Sequence, residues 1–595
     1  MKLLKDTEAK FKKLGISSFL ELALLMPSSY EDLELHEKLL LDKPQLIDAT
    51  VESVFKAQNS IQITFFVHNF GHTITGVIFR PKPYILHQFS VGSREFYYGV
   101  VSCKGGGCSM SMPKKITKIG SITPKYKTAL RSDAMLRFMQ KNLTIENLMA
   151  EGLSSERAKK LLEIHFPSTV PTELSFESLE TLKYVELYVY MKQLSHKRRY
   201  FEALSSRVDE YSEWVKTLPF SLTKEQLETI EDIKVDMQKE ISAKRMVVGD
   251  VGSGKTMVIL ATAFMNRANK TILMAPTTIL ANQLFEEAQK FLPDLKTVLV
   301  TNKTSKKESL SEYDFLIGTH ALLYRELPQA TVVMVDEQHR FGTQQRNMLE
   351  KLVSEGAKKP HYIQFSATPI PRTQAMIETA HIDVSLITST PFKKDIDSSV
   401  IHKEDFSQLI EHIKSEISQN NQVLLVYPLV EQSEVIEYQS IEEARGYWEK
   451  NFDDVYVTHG KDKDKENVLL EFREKGKILI ATTVVEVGIS LPRLTTVVIV
   501  GAERLGLSTL HQLRGRVSRT GLKGYCYLYT NQNTTERLDE FVKTTSGFDI
   551  ANLDLKFRKS GDLLKGLQQS GTAFRWVDIG EDEEIVSQVK RDLAF

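Results

Sequence analysis

Ten short apolar runs, each suited to a buried strand, alternate with helical stretches from about Arg245 onward. The first five are RMVV, TILMAP, DFLIGT, VVMVDE and YIQFSAT, and the second five are QVLLVYP, DVYVTHG, ILIATT, TVVIVGA and GYCYLYT. Continuous apolar strands joined by helices are typical of parallel sheets covered on both faces. The polar segment STPFKKDIDSS, Ser389 to Ser399, separates the two sets. The pattern therefore predicts two α/β lobes in tandem, with functional residues at the carboxyl ends of their strands.

The chain of 595 residues is too long for one ordinary core, and several domains are expected. Its 77 Lys and Arg residues balance its 77 Asp and Glu residues, so the net charge is zero. Binding to nucleic acid would thus require positive charge concentrated on one face. Charged residues interrupt the short apolar stretches of the N-terminal segment, so it lacks the apolar core of a secretory signal. No apolar run is long enough to span a membrane. We expect a cytoplasmic protein without a membrane partner.

The N-terminal third has a different pattern. Between about Leu46 and Ile119, short segments with period-two alternation are separated by Gly, Asn and Ser turns, which predicts a small antiparallel barrel. Cys103 and Cys108 flank KGGG, and we interpret that stretch as a glycine turn between two strands rather than a metal knuckle. Helical segments follow, and residues 179–218 form a long helix candidate that carries the basic triplet Lys197, Arg198 and Arg199.

The segment GDVGSGKT, Gly249 to Thr256, matches the phosphate-binding loop G-x-x-x-x-G-K-[ST]. An apolar strand precedes it and an apolar helix follows it, which is the context that the motif requires. Its glycines let backbone N–H groups surround phosphates, and the helix N-terminus favours negative charge. Lys255 would reach the β- and γ-phosphates, and Thr256 would hold Mg²⁺.

Two carboxylates follow the buried strand in VVMVDEQHRFG. Burying charge is costly unless something pairs with it. We expect Asp336 to end a strand beside the strand of the phosphate-binding loop and to hold the magnesium ion of a nucleotide through water. Glu337 would orient or deprotonate the attacking water.

Hydrolysis on one lobe needs stabilisation of transition-state charge, often from an arginine on a facing surface. The segment QLRGRVSR, Gln512 to Arg519, offers this from the second set of strands. Arg516 and Arg519 are three residues apart, so a helix would place both on one face.

These motifs, with SATPIPRT and ATTVVEVGIS, come in the order of a superfamily 2 helicase, and the chain resembles that superfamily from about Leu218 to Leu528. The resemblance implies that Phe220 and Gln226 recognise the adenine of ATP, and that Gly488 of the second lobe also contacts ATP. The remaining nucleotide contacts that it implies are Gly249, Gly252, Ser253, Gly254, Lys255 and Thr256. It also implies contacts of Thr277, Thr319 and Thr483 with nucleic-acid phosphates.

A narrower resemblance extends over nearly the whole chain. The stretches DEQHRFGTQQR, ERLGLSTLHQLRGRVSR and TTSGFDIANLDLKFRKSGDLLKGLQQSG resemble the RecG family of branched-DNA translocases. It implies a wedge barrel of the OB-fold type, with Phe79 and Tyr84 as residues that stack on DNA bases. It also implies a C-terminal helical hairpin and loop that couples hydrolysis to movement, with His339, Arg558, Gln568 and Gln569 in coupling roles.

The fold that this implies is multidomain α/β: two tandem RecA-like, doubly wound parallel-sheet lobes, preceded by the wedge barrel with helices and followed by the hairpin. The expected domains are an entry segment (1–45), the OB-fold wedge (46–125), a helical segment with a long linker helix (126–215), the ATP-binding lobe (216–390), the second lobe (391–540) and the hairpin with its tail (541–595). ATP and Mg²⁺ are the implied cofactors. Forks and four-way junctions are the implied substrates, single-strand-binding protein is a candidate partner, and a monomer is expected.

The sequence departs from the helicase pattern at two positions. Ser490 replaces an Asp that usually lies near the ribose, and Ser518 replaces the second glycine of G-R-x-G-R. Two other functions stay open beside a DNA motor, and the two serines bear on the second of them. One is an RNA helicase, because the core motifs serve both nucleic acids. The other is a junction-binding protein that uses ATP as a switch with little turnover.

Overall fold

The computed structural model describes residues 5–593 except 105–106, 118, 306–307, 368–370, 393–394, 431–437, 461, 484–490, 519–520, 534 and 566–573. The chain forms two compact units. The first comprises Met1–Tyr190 and Ala573–Val577, and the second comprises Met191–Thr572 and Asp578–Phe595. None of the helices in the described ranges is both long and apolar enough to cross a membrane.

A closed five-stranded barrel forms the centre of the first unit. Its strands and the two that flank them are β1 (Ser29–Asp32), β2 (Pro44–Lys56), β3 (Ser60–Val67), β4 (His72–Phe79), β5 (Arg94–Lys104), β6 (Gly107–Ile116) and β7 (Ile122–Lys125). The barrel closes in the order β2-β3-β4-β6-β5, and β1 pairs with β7. Alternate residues of β3, such as Ile61, Ile63 and Phe65, point into the core, as period-two patterning requires. The predicted OB-fold barrel is confirmed, but it is not wholly antiparallel as the sequence pattern predicts, because β4 and β6 pair in parallel where the barrel closes.

Cys103 and Cys108 lie opposite each other on β5 and β6, so the stretch between them joins two strands as predicted, while residues 105–106 of the predicted turn lie outside the described residues. The two residues are joined by a disulfide bond, which the sequence pattern did not predict.

The helices up to the second unit are α1 (Lys5–Leu14), α2 (Phe19–Ala23), α3 (Ser132–Asn142), α4 (Ile145–Ala150), α5 (Ser155–His165) and α6 (Phe176–Ser195). The predicted long helix over residues 179–218 is wrong beyond Ser195. There the chain becomes extended because its backbone pairs with the first lobe: Ala203 donates to Glu240 and Leu204 donates to Lys359. The short helix α7 (Ser212–Thr217) follows this connector.

The first lobe of the second unit has a seven-stranded sheet in the order β10-β11-β9-β12-β13-β8-β14. Its strands are β8 (Lys244–Gly249), β9 (Thr271–Met274), β10 (Thr297–Val300), β11 (Phe315–Gly318), β12 (Val332–Val335), β13 (His361–Ser366) and β14 (Asp383–Ile387). All described pairs are parallel. The helices around it are α8 (Lys224–Met237), α9 (Lys255–Met265), α10 (Thr278–Phe291), α11 (Thr343–Leu352) and α12 (Arg372–Glu378).

The second lobe has a six-stranded parallel sheet in the order β15-β20-β19-β16-β18-β17. Its strands are β15 (Ile396–Ile401), β16 (Gln422–Val426), β17 (Val455–Thr458), β18 (Ile478–Ala481), β19 (Leu494–Val500) and β20 (Gly524–Tyr529). The remaining helices are α13 (Phe406–Ser418), α14 (Ile441–Asn451), α15 (Lys465–Lys475), α16 (Leu507–Arg514), α17 (Glu536–Lys543), α18 (Gly547–Lys565) and α19 (Glu583–Asp592).

Apolar clusters lie on both faces of each sheet, as expected for doubly wound lobes. The five-plus-five strand pattern omitted β10, β14 and β15. These strands are short or carry polar residues, such as Asp397, Ser398 and Ser399 in β15, and so lack a continuous apolar run. The segment read as a linker between the lobes therefore contributes the edge strand of the second one.

Candidate nucleotide site and the contact between the lobes

The phosphate-binding loop joins β8 to α9, and its glycines are required by close approach. A Cβ on Gly249 would collide with the Ser253 hydroxyl, and one on Gly254 would collide with the amide of Gln226. Gly252 and Gly254 also have left-handed backbones, with φ of 80° and 77°. Local geometry thus explains the glycine spacing without reference to a ligand.

The same loop is suited to hold phosphates. Among the described residues no side chain caps the N-terminus of α9, and the buried hydroxyl of Ser253 has no hydrogen-bond partner. The Lys255 ammonium donates to the carbonyl oxygens of Gly249 at 2.8 Å and Asp250 at 3.1 Å, so it lies over the loop. Backbone donors, a hydroxyl and an ammonium together form a site for an oligophosphate.

Asp336 and Glu337 follow β12 at the carboxyl edge of the same sheet. Burial raises the pKa of Asp336 well above its usual range, and repulsion from Glu337 raises it further, while Lys255 opposes the shift. A divalent cation would relieve both effects. No cluster of three or more His, Cys, Asp or Glu side chains within the described residues could hold a metal. A magnesium ion here would thus share its ligands between Asp336, Thr256 and phosphate oxygens.

The sequence prediction that Asp336 lies beside the loop strand is wrong by one strand. β13 pairs with both β12 and β8 and so separates them. The intervening strand β13 contributes a contact to the site. The N–H of Ala367, just after β13, donates to Oε2 of Glu337 at 3.2 Å. Glu337 itself has a left-handed backbone with φ of 49°, a strained conformation for this residue type.

Phe220 and Gln226 lie on one side of the loop. The Phe220 ring is 44% exposed and contacts Phe291 edge to face, so one of its faces is available for stacking. Gln226 is buried; its carbonyl accepts from the N–H of Thr223 at 2.8 Å and its amide donates to the Ser253 carbonyl at 2.8 Å. Gln226 thereby ties the start of α8 to the phosphate-binding loop.

Asp250, within the loop, contacts the second lobe. Nε2 of His511 on α16 donates to its Oδ1 at 2.5 Å. The guanidinium of Arg514 donates to the other ring nitrogen at 3.1 Å, so His511 carries its hydrogen on Nε2. Burial opposes ionisation of Asp250 most strongly, but the interactions with His511 and the backbone N–H groups of Gly547 and Val251 together outweigh it and lower the pKa of Asp250 to about 2.

The same carboxylate holds the start of α18. The N–H of Gly547 donates to Oδ2 of Asp250 at 2.8 Å, and a Cβ on Gly547 would lie 2.6 Å from Oδ1. Arg514 extends the contact, because its guanidinium donates to the carbonyl of Phe541 at 3.1 Å and lies over the Phe541 ring. One loop residue is therefore bonded to both α16 and the first residue of α18. Sequence reasoning missed all of these residues, although a histidine and an arginine one helical turn apart on α16 were a possible signal.

The helical face that the sequence predicts for Arg516 and Arg519 is wrong. α16 ends at Arg514, with Gly515 as its C-cap. A Cβ on Gly515 would lie 2.7 Å from a methyl of Val251, which shows how closely the two lobes approach. Arg516 follows at once and is buried, whereas Arg519 lies outside the described residues. Ser518 has a left-handed backbone with φ of 60°, which explains why a glycine is usual there.

The predicted DNA contacts are dispersed. Thr277 caps α10 through its hydroxyl. Thr319 is buried, and its hydroxyl accepts from the N–H of Ala321 at 3.4 Å. Thr483 is half-buried after β18, and Phe79, at the end of β4, is 60% exposed. The remaining predicted site residues lie, at least in their side chains, outside the described part: Tyr84, His339, Gly488, Arg558, Gln568 and Gln569. The DNA and coupling roles of all these residues stay predictions.

Comparisons with known proteins agree with this architecture. Residues 223–377 match the family model for the DEAD/DEAH box helicase, and residues 404–521 match the helicase conserved C-terminal domain. An ATP-dependent DNA helicase RecG from Helicobacter pylori is 43% identical over 99% of this chain and 98% of its own length. The chain belongs to the RecG family of ATP-dependent DNA helicases. A RecG from Bacillus subtilis is 30% identical over 99% of this chain and 93% of its own length.

A solved structure supports the same assignment for this RecG-family chain. The structure of RecG bound to a three-way DNA junction aligns with a TM-score of 0.55 and 26% identity, and covers 100% of this chain and 84% of the other. The family assignment confirms the resemblance to RecG and the prediction of an ATP-dependent helicase.

Proposed function

We propose that this chain remodels branched DNA, regressing stalled forks and migrating four-way junctions with the energy of ATP hydrolysis. The observation that carries the proposal is the shared carboxylate of Asp250. It bonds His511 of the second lobe and Gly547 of α18, the helix that leads into the segment resembling the RecG coupling loop. A change at the phosphate-binding loop would therefore reach both the second lobe and the coupling segment directly.

The roles of the loop residues follow from their positions. Bound ATP with Mg²⁺ supplies the phosphoanhydride bond that is broken. Lys255 would hold the phosphates, Asp336 and Thr256 would hold Mg²⁺, and Glu337, steadied by the Ala367 N–H, would accept a proton from the attacking water. Arg516, with Arg519, would stabilise the charge that develops on the transferred phosphoryl group. Phe220 would stack on the adenine.

The barrel offers aromatic surface for unpaired bases. Phe79 lies on β4 and Phe55 on β2, on either side of β3, and Phe55 is 65% exposed. Stacking of a base on an exposed aromatic ring is worth about 1–3 kcal/mol and does not depend on sequence. Phe55, which the sequence analysis did not select, thus joins Phe79 as a candidate for holding separated strands.

The test is the ATPase rate measured with linear duplex, forked and four-way DNA, and with RNA forks of matched sequence. The proposal expects forked and four-way DNA to stimulate most. Equal stimulation of the ATPase by linear duplex would contradict a preference for branched DNA. Stimulation by RNA alone would favour the RNA helicase. Tight fork binding with negligible steady-state hydrolysis would favour the ATP-switched binding protein.

A further inference from the structure

A cavity of about 740 Å³ opens at the edge of the first lobe where its strands begin. It is lined by the connector after α6, the turn before β8, the end of α11 and the start of β14, all within the second unit. Lys244 at the start of β8 lines it, whereas Gly249 at the end of β8 belongs to the phosphate-binding loop. Six extended residues span about 20 Å, so the cavity is separate from the nucleotide site.

The lining is strongly cationic. Seven Lys and Arg side chains face two carboxylates, Glu350 and Asp383, in a chain whose net charge is zero. The two carboxylates are already engaged: Glu350 pairs with Lys244 at 2.9 Å and Lys359 at 2.7 Å, and Asp383 pairs with Arg198 at 2.7 Å. Lys239 also pairs with Asp236 at 2.5 Å, so four of the seven cations are paired and the other three keep an unbalanced positive charge.

Three of the cations have no ion-pair partner among the described residues: Lys197, Arg199 and Lys351. All three are exposed and come from two separate elements, the connector and α11. Like charges held together without counter-charges repel one another, and such an arrangement is stabilised by an anion that neutralises them. Tyr200, beside them, is 66% exposed.

We infer that this cationic cavity binds the phosphate backbone of the DNA on which the protein acts, as a second contact away from the cleft between the lobes. The inference rests on the proposed function. Ammonium and guanidinium groups recognise phosphates without reading bases, which is what a motor indifferent to sequence requires. Phosphates of the bound substrate are also the anions that a DNA helicase always has at high local concentration.

The test uses the full chain with Lys197→Ala, Arg199→Ala and Lys351→Ala combined. Because the three side chains are exposed and make no ion pair within the described ranges, the variant is expected to fold. Binding to a fluorescent fork is measured between about 50 and 200 mM salt. Loss of three phosphate contacts is expected to reduce the slope of log K against log salt by about 3 and to weaken binding most at low salt.

A matched variant removes three exposed lysines of the second lobe, Lys414→Ala, Lys450→Ala and Lys475→Ala, and should keep the wild-type slope. A charge-keeping variant, Lys197→Arg with Lys351→Arg, should also keep it. An unchanged slope in the cavity variant, or an equal decrease in the matched variant, would overturn the inference.

Two further measurements separate the possible outcomes. Labelled polyglutamate peptide that binds the wild type but not the cavity variant, while fork binding is unchanged, would show an acidic peptide site and overturn the DNA assignment. The ATPase panel on the wild type reports on the proposed function independently. If forks stimulate the ATPase of the wild type but the cavity variant keeps the wild-type slope of log K against log salt, only the DNA contact in the cavity is rejected. The proposed function then stands.

Discussion

Nε2 of His511 lies 2.5 Å from Oδ1 of Asp250, and this bond joins the phosphate-binding loop of one lobe to α16 of the other. Oδ2 of the same carboxylate accepts from Gly547. Because Asp250 is adjacent in sequence to Gly249 and Val251, any displacement of the loop moves an acceptor shared by α16 and α18. The contact therefore joins the candidate nucleotide site directly to α18.

Asp250→Asn keeps the side-chain size but removes the charge that accepts N–H groups from His511, Gly547 and its own neighbour Val251. Hydrogen bonds to a charged group contribute about 1.5–3 kcal/mol, so the equilibrium constant for the contact should fall about 10-fold or more, and fewer base pairs should be unwound per ATP hydrolysed. ATPase and fork unwinding are measured on the same preparation. Asp549→Asn, an exposed carboxylate in the first turn of α18, is the control. Equal coupling ratios in both variants and the wild type would show that the Asp250 contacts are only structural.

Glu337→Gln should keep ATP and fork binding but lower the single-turnover hydrolysis rate about 10²–10⁴-fold, because the amide cannot accept a proton from water. Gln retains an oxygen that can accept from the Ala367 N–H, so the local structure should persist. Glu326→Gln, exposed on the same lobe, is the matched control. Wild-type hydrolysis by the Glu337 variant would mean that another group activates the water.

Ser518 is buried with a left-handed backbone, and a non-glycine residue in that conformation costs about 1–2 kcal/mol. Ser518→Gly should therefore raise the melting temperature of the second unit or leave it unchanged. Ser518→Val, which adds a branched Cβ, should lower it by several degrees. Thermal unfolding of the full chain followed by calorimetry checks both. A lower melting temperature for Ser518→Gly than for Ser518→Val would contradict the strain argument.

His165 makes the stability of the first unit depend on pH. Its Nε2 donates to the Ala23 carbonyl at 2.8 Å and Nδ1 accepts from Tyr126, so the ring is held neutral, and burial lowers the pKa of His165 to about 4. The unfolded chain, with an ordinary value near 6.5, binds the proton more readily. Stability is thus complete above about pH 6.5 and falls by up to about 3 kcal/mol as the pH decreases to 4.

Hydrogen exchange of amides in α2 and α5, measured on the full chain between pH 7 and pH 5, checks this effect after correction for intrinsic rates. His165→Gln should weaken the pH dependence of their protection. His72→Gln, exposed on the barrel, should not change it. Identical pH dependence in the wild type and the His165 variant would assign the effect to another group.

Much of the nucleotide site could be predicted because its signals are local. Gly249 to Thr256 form one strand–loop–helix turn, and Asp336 and Glu337 directly follow a buried strand. The order of strands could not be read in this way: β13 lies between β12 and β8, although it follows β12 in sequence. The helical prediction for Arg516 and Arg519 failed because Gly515 ends α16 one residue before the first arginine.

The sequence by itself determined the alternation of apolar strands and helices, the two lobes, the barrel and the glycine-rich loop that we propose binds phosphates. These features depend on backbone periodicity and on residues within a few positions of each other. Only the tertiary structure decided that Asp250 meets His511, 261 residues away, and Gly547, 297 residues away. Such a contact depends on how two complete lobes pack, and no local pattern specifies which side chains then lie within hydrogen-bond distance.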